Sequence, residues 1–509
     1  MGAPASGEVD RLRRLALERQ AEGRFEAAYA LLRGRAMLTP RDPAAWVDIA
    51  LCLSAARMSE DALKAWDAAL TLAPQDPALC CGKAGLLQGL GRSQEARALL
   101  SDAERVAPGD PQVRFGLARL AIEAGDWDEA ARLAEALQAP ASLRPELQWL
   151  ATRIALGRGD LADAEARARR LAADPALAPE PRADALLLRA AALDRLGRAA
   201  EAFAAAAAGK TLQRRLFAAR ARGREGYVER LARLNDWFAK AKAGDWAARH
   251  EPGPASGGPR VHAFILGFPR SGTTLLEQAL AGHPEVVALE EPPTLAAPAA
   301  ELLSSSEGLA RLASLSASQT ASWRARYFAE VRSLGADASG RVLVDKAPAE
   351  TSSLPLIAKL FPDARILFAL RDPRDVVLSC FMSSFEMNAL TYAFTDLAET
   401  AAAYAACMAF AETCRGLLPL NLMEIRHEAL VQDFAAVVGA AARFLDIEPH
   451  PAMLDVAATA AARTVRTPSA SLVRGGLTAA RLGRWRGYAD QLEPVLAVLE
   501  PWVRRLGYG

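Results

Sequence analysis

The sequence predicts a two-part molecule: an α-helical solenoid of paired helices, then an α/β domain with a parallel sheet. Three observations predict it. Alanines recur every 34 residues, at Ala28, Ala62, Ala96, Ala130 and Ala164. From residue 261 onward, apolar runs of strand length alternate with helical patterns. The first run, 261–266, leads into Gly267-Phe-Pro-Arg-Ser-Gly272, and Leu275, Leu276, Ala279 and Leu280 follow at helical spacing.

More than alanine holds the 34-residue frame. Gly23, Gly91, Gly125 and Gly159 share it, with Arg57 in the expected glycine slot, and Pro40, Pro74 and Pro108 close successive second helices. Small residues let two helices approach, glycine ends the first helix, and proline cannot continue the second. Each helical pair leaves an apolar face that only a neighbour covers, so the units stack. Residues 23–46, 62–79 and 91–113 resemble tetratricopeptide repeats in period and wording. A last unit comes four residues late, at Gly197 and Ala202. The solenoid is expected over 10–245, as about five to six repeats and a capping helix from Thr211 to Lys242 whose basic residues are mostly solvated. The resemblance implies a concave surface for a protein or peptide partner, with scaffolding or dimerisation of the second half as the alternative. Trp46, Trp66 and Trp127 are read as packing between helices. Residues 246–260, rich in Pro, Gly and Ser, form the expected linker to a domain over 261–509.

Composition narrows the function classes. The chain has 61 Lys and Arg against 60 Asp and Glu, a formal net charge of +1, so no global field argues for nucleic acid or a membrane surface. Six cysteines show no CxxC pair and no metal-like spacing, which predicts buried free thiols. No secretory signal and no apolar run of spanning length is visible, so a cytoplasmic location is expected.

The chemistry gathers after residue 260. A strand, a glycine-bounded turn and a helix place backbone N–H groups and a positive helix end around an anion. Gly267 and Gly272 supply backbone freedom, Arg270 can fork onto phosphate-like oxygens, and Ser271, Thr273 and Thr274 supply hydroxyls. The glycine spacing matches the nucleoside triphosphatase loop, but Thr273 stands where that loop carries its lysine, which argues against ATP hydrolysis or a nucleotide kinase. Further strands are expected at 341–344, 364–370 and 420–425. They end in Asp345-Lys346, Arg371-Asp-Pro-Arg-Asp375 and His427-Glu428, at the edge where open α/β sheets bind ligands.

The wording of this half resembles a sulfotransferase that uses 3'-phosphoadenylyl sulfate (PAPS), of the tyrosylprotein sulfotransferase-like group, including bacterial members with tetratricopeptide repeats. The resemblance rests on FPRSGTTLLEQALAGHPEV at 268–286, Glu290-Glu291, DKAP at 345–348, LFPDARILFALRDPRDVVLS at 360–379 and GRWRGY at 483–488. It implies a 5'-phosphosulfate loop of Arg270, Ser271, Gly272, Thr273 and Thr274, and a 3'-phosphate site of Arg371 and Ser379. It places the catalytic base on Glu291, with Glu290 adjacent as the alternative, and a lysine near the leaving oxygen on Lys346. A serine near the leaving group falls on Ser469, or on Ser471, and Arg484 makes a further basic contact to the cofactor. The family's usual tyrosine is His427 here, which changes the adenosine side.

The expected function is transfer of a sulfuryl group from PAPS to a hydroxyl acceptor, with protein tyrosine one candidate, while the repeats engage protein. Glu291 would take the acceptor proton, and Arg270, Lys346 and the loop amides would meet charge on the leaving phosphate. No metal is implied, because cationic side chains can neutralise that charge. The rival is a catalytically inactive sulfotransferase-like scaffold whose repeats do the work; it predicts lost loop or base residues, and Arg270, Glu291, Lys346, Arg371 and Ser379 are all present.

Overall fold

The computed structural model describes residues 6–56, 58–137, 144–246, 258–463 and 481–509. The chain divides into two compact units, Met1–Asp160 and Leu161–Gly509.

The first unit is helical. It contains α1 (Ser6–Ala21), α2 (Phe25–Leu38), α3 (Pro43–Ala55), α4 (Ser59–Leu72), α5 (Pro77–Gly89), α6 (Ser93–Val106), α7 (Pro111–Ala124), α8 (Trp127–Glu135) and α9 (Arg144–Arg158). The frame alanines Ala28, Ala62, Ala96 and Ala130 are fully buried, as close helix approach requires. The frame glycines Gly23, Gly91, Gly125 and Gly159 all take left-handed backbone just beyond a helix, where a Cβ would be strained. A second signal shares the period and passed unread. Asp42, Asp76 and Asp110 each cap the helix that begins at the following proline, their carboxylates accepting from Ala44, Ala78 and Gln112 N–H. Such caps contribute about 1 kcal/mol each. Trp66 is buried and Trp127 lies against Gly157, so both serve packing.

The second unit opens with α10 (Leu161–Ala173), α11 (Pro179–Arg195), α12 (Ala199–Ala221) and α13 (Tyr227–Phe238). The late last repeat has a simple cause. Helix α5 has 13 residues, then C-cap Leu90 and Gly91, whereas α11 has 17 residues, then C-cap Leu196 and Gly197. The four extra residues add about one helical turn. The basic residues after Thr211 are mostly exposed, as expected, among them Arg215, Arg220, Arg222 and Arg224, while the half-buried Arg214 binds Glu399 at 2.5 and 2.9 Å. Trp246, the first residue of the expected linker, is buried with its ring centroid 5.2 Å from that of Phe238. Residues 247–257 of that linker lie outside the described residues.

Then come β1 (Val261–Gly267), α14 (Thr273–Ala281), β2 (Val286–Glu290), α15 (Ala296–Leu302), α16 (Ser306–Ala313), α17 (Ala317–Ser333), β3 (Val342–Lys346), α18 (Leu354–Leu360), β4 (Arg365–Leu370), α19 (Pro373–Met382), α20 (Ala389–Ala393), α21 (Leu397–Leu417), β5 (Asn421–Arg426), α22 (His427–Gln432), α23 (Phe434–Phe444) and α24 (Val456–Ala462), and last the helix Ala489–Arg505. Among the described residues the strands form one parallel sheet in the order β2-β3-β1-β4-β5. The short β2, Val-Val-Ala-Leu-Glu, was not anticipated.

Strand side chains alternate between two cores, as a sheet covered on both faces demands. Phe264, Leu266, Leu343, Ile366 and Phe368 face a core shared with α13, α19, α21 and with Leu187, Leu193 and Ala206 of α11 and α12. Ala263, Ile265, Val342, Val344 and Leu367 face the other, with α14 and α23. The last helices of the expected 10–245 array therefore share a core with the sheet.

Candidate functional site

The site is built at the C-terminal edge of the sheet, beside central strand β1, where the strand order turns to opposite sides. Thr351 clasps the end of β1, donating to Gly267 O (2.6 Å) and accepting from Gly267 N (3.0 Å). Gly267 has no room for a side chain, since a Cβ would stand 2.5 Å from Ala369 O. Gly272, at φ +94, caps α14, and a Cβ there would stand 2.4 Å from Nδ1 of His427. His427 therefore packs on the loop itself. Burial, with Arg371 and Arg270 nearby, depresses its pKa to about 3, so the ring stays neutral.

Among the described residues, three non-glycine residues carry positive φ: Arg270 (71°), Glu291 (51°) and Asp446 (54°). Two of them are the expected loop cation and the expected base. Such backbone costs about 1–3 kcal/mol and persists only where surrounding structure enforces it.

Arg270 donates through Nε to Ser379 Oγ at 3.0 Å. Arg371, at the end of β4, donates to Arg270 O (3.3 Å), to Arg481 O (2.9 Å) and to Asp375 Oδ2 (3.4 Å). Its buried Nε has no partner among the described residues. Burial first, and the charges of Arg371, Arg481 and Arg484 next, depress Arg270 to about 10. Such clustered cations are poised for an anion. Ser271, Thr273 and Thr274 are buried at the start of α14.

The second cluster lies at the end of β3, whose Lys346 pairs in register with Ile265 of β1 and Glu290 of β2. The fully buried Lys346 ammonium lies 2.7 Å from Glu291 Oε1 and 3.7 Å from Glu290 Oε1. Glu291 N also donates to Lys346 O at 2.8 Å. Burial opposes the charge on Lys346, but Glu291, Glu277 and Glu290 outweigh it and raise its pKa above the ordinary value. Behind it, Asp345 accepts from Thr294 Oγ1 (2.8 Å) and Tyr327 OH (2.7 Å), tying the Glu291 loop to β3.

The expected residues thus form two groups. Arg270, Arg371 and Ser379 meet; Lys346, Glu291 and Glu290 meet. Arg484 is bonded to Asp194 of α11 (Nε at 2.9 Å), and Ser469 and Ser471 lie outside the described residues. Asp372 and Arg374 form an ion pair at 2.8 Å within the turn. Sequence reasoning missed Thr351, Asp194 and the holding role of Asp375, whose carboxylate accepts from Gly483 and Trp485 N–H, both at 2.8 Å. Asp375 stands within a quoted motif, whereas Thr351 and Asp194 carry no local signal.

A helix N-terminus beside a cationic cluster at the switch point of a parallel sheet gives this α/β domain an edge whose chemistry suits an anionic group. A family model described as Sulfotransferase family matches residues 263–451, and one described as Tetratricopeptide repeat matches 87–154. The chain carries a sulfotransferase-family domain behind tetratricopeptide repeats. It is 27% identical over 250 residues to an uncharacterized protein of Aquifex aeolicus (strain VF5), covering 48% of this chain and 33% of that one. It is 33% identical over 132 residues to nodulation protein NoeE of Sinorhizobium fredii (strain NBRC 101917 / NGR234), covering 23% and 30%. The chain thus spans about a third of the length of these curated relatives. Among solved structures, the sulfotransferase domain of the Synechococcus PCC 7002 olefin synthase matches with 23% identity and a TM-score of 0.34, over 50% of this chain and 98% of that one. PilW, a type IV pilus biogenesis factor, matches with 18% identity and a TM-score of 0.34, over 41% and 94%. No helix among the described residues is long and apolar enough to cross a membrane.

Proposed function

We propose that the domain transfers a sulfuryl group from PAPS to a hydroxyl acceptor, protein tyrosine being one candidate, and that the repeats present a surface to protein. The observation that carries this reading is the ion pair between buried Lys346, at the end of β3, and the more exposed Glu291 just past β2, one strand from the loop bearing Arg270. The donor set fits PAPS: cationic and hydroxyl groups, and a buried Arg371 Nε that lacks a partner among the described residues.

PAPS supplies an electrophilic sulfuryl group on a phosphate leaving group. Glu291 accepts the acceptor's proton as the new S–O bond forms, and Glu290 is the neighbouring alternative. Lys346 and Arg270 meet the negative charge left on the 5'-phosphate oxygen as the old S–O bond breaks. Ser271, Gly272, Thr273 and Thr274 offer backbone and hydroxyl donors to the 5' side, Arg371 and Ser379 hold the 3'-phosphate, and Arg484 adds a further contact. Ser469 is retained as a candidate near the leaving group. No step needs a metal.

Calorimetric titration of the full chain with 3',5'-adenosine bisphosphate, beside ATP, tests the donor site. Tight binding of the bisphosphate, weakened by Arg371→Ala, is expected. Absence of binding would overturn the reading in favour of a scaffold.

A further inference from the structure

The segment Arg481–Tyr488 lies against the cationic cluster and is held by two carboxylates. Asp375 of α19 takes its backbone, accepting from Gly483 and Trp485 N–H, while Arg481 O accepts from Arg371. Asp194 of α11 takes its side chains. One oxygen, Oδ1, accepts from Arg484 Nε at 2.9 Å and from Tyr488 OH at 2.7 Å, and lies 2.8 Å from Arg484 Nη2. Both Asp194 and Arg484 are largely buried, with side-chain exposures of 14% and 16%. Both lie outside the stretches matched by the family models.

A buried guanidinium without this carboxylate would sit among Arg270, Arg371 and Arg481, whose mutual repulsion would turn it away. Two of its three nitrogens on one oxygen fix its plane, because the guanidinium fork is rigid.

We propose that Asp194, on a helix of the repeat region, is a positioning residue for the donor site: it aims Arg484 toward the cofactor. The inference rests on the PAPS reading above. The helices before the catalytic domain are then part of the donor site.

The test is calorimetric titration of 3',5'-adenosine bisphosphate into the full-length wild type, Asp194→Asn, Arg484→Ala and the double variant, with a melting temperature for each. Asp194→Asn and Arg484→Ala are each expected to weaken binding about ten-fold, the scale of one charge-assisted hydrogen bond. The double variant is expected to bind no worse than Arg484→Ala alone, since Asp194 acts through Arg484. Tyr488→Phe, which removes the other contact of Asp194, should leave the affinity unchanged even if it lowers stability. Unchanged or tighter binding by Asp194→Asn, or additive losses in the double variant, overturns the inference while leaving the donor site intact. No binding by wild type sinks both. Should Asp194→Asn fail to fold, Asp194→Glu keeps the charge but displaces the carboxylate, and weaker binding is again required.

Discussion

Nζ of Lys346 lies 2.7 Å from Oε1 of Glu291, across two neighbouring strands, and the glutamate reaches it from left-handed backbone at φ 51°. The lysine is fully buried, whereas the Glu291 side chain is 44% exposed. One partner is fixed by the sheet, and the other is open to solvent.

Glu291→Ala is expected to lower turnover about 10²- to 10⁴-fold, the usual weight of a positioned general base. Binding of 3',5'-adenosine bisphosphate should persist. Glu290→Gln, at 3.7 Å from the same ammonium, should cost far less. Single-turnover sulfate transfer on the two variants, once an acceptor is in hand, assigns the base; the opposite ranking moves it to Glu290.

Gly272→Ala should abolish bisphosphate binding. The added Cβ meets His427 Nδ1 at 2.4 Å from backbone at φ +94, so the loop must shift. The conformational term alone is about 1–2 kcal/mol. Calorimetry and a melting curve read both effects.

Asp345→Asn should flatten the pH dependence of stability. Burial raises the Asp345 carboxyl from 3.8 to about 6, with Tyr327 and Thr294 opposing the shift. A folded pKa above the unfolded one stabilises below pH 3.8, and that contribution is lost as pH rises to about 6. The contribution is on the order of 2–3 kcal/mol at about 1.4 kcal/mol per pH unit. Melting temperatures between pH 4 and 7 should therefore fall less in the variant than in wild type; parallel curves would refute this.

Gly82→Ala should destabilise the first unit. Its Cβ would stand 2.2 Å from the buried ring of Trp66. Overpacking of this kind costs about 1–3 kcal/mol. Helical circular dichroism against temperature measures the loss.

Much of the fold was legible because its signals are local. A period of 34 residues, a glycine after most first helices and alternating strand burial are set by neighbours along the chain, and the buried Ala28, Ala62, Ala96 and Ala130 follow from them. Strand β2 escaped because five residues, Val286–Glu290, carry little periodic signal. In the site, Arg270, Arg371 and Lys346 were readable from motif wording, whereas Thr351 was not, because it reaches Gly267 from 84 positions away.

The sequence by itself determined the class of each half and the residue types gathered at the sheet edge, since helix periods, strand alternation and loop glycines are short-range properties. Only the tertiary structure decided who touches whom there. Asp194 and Arg484 stand 290 positions apart, and Lys346 and Glu291 stand 55 apart. Such pairs follow from strand order and helix packing, which the whole buried core decides rather than any local pattern.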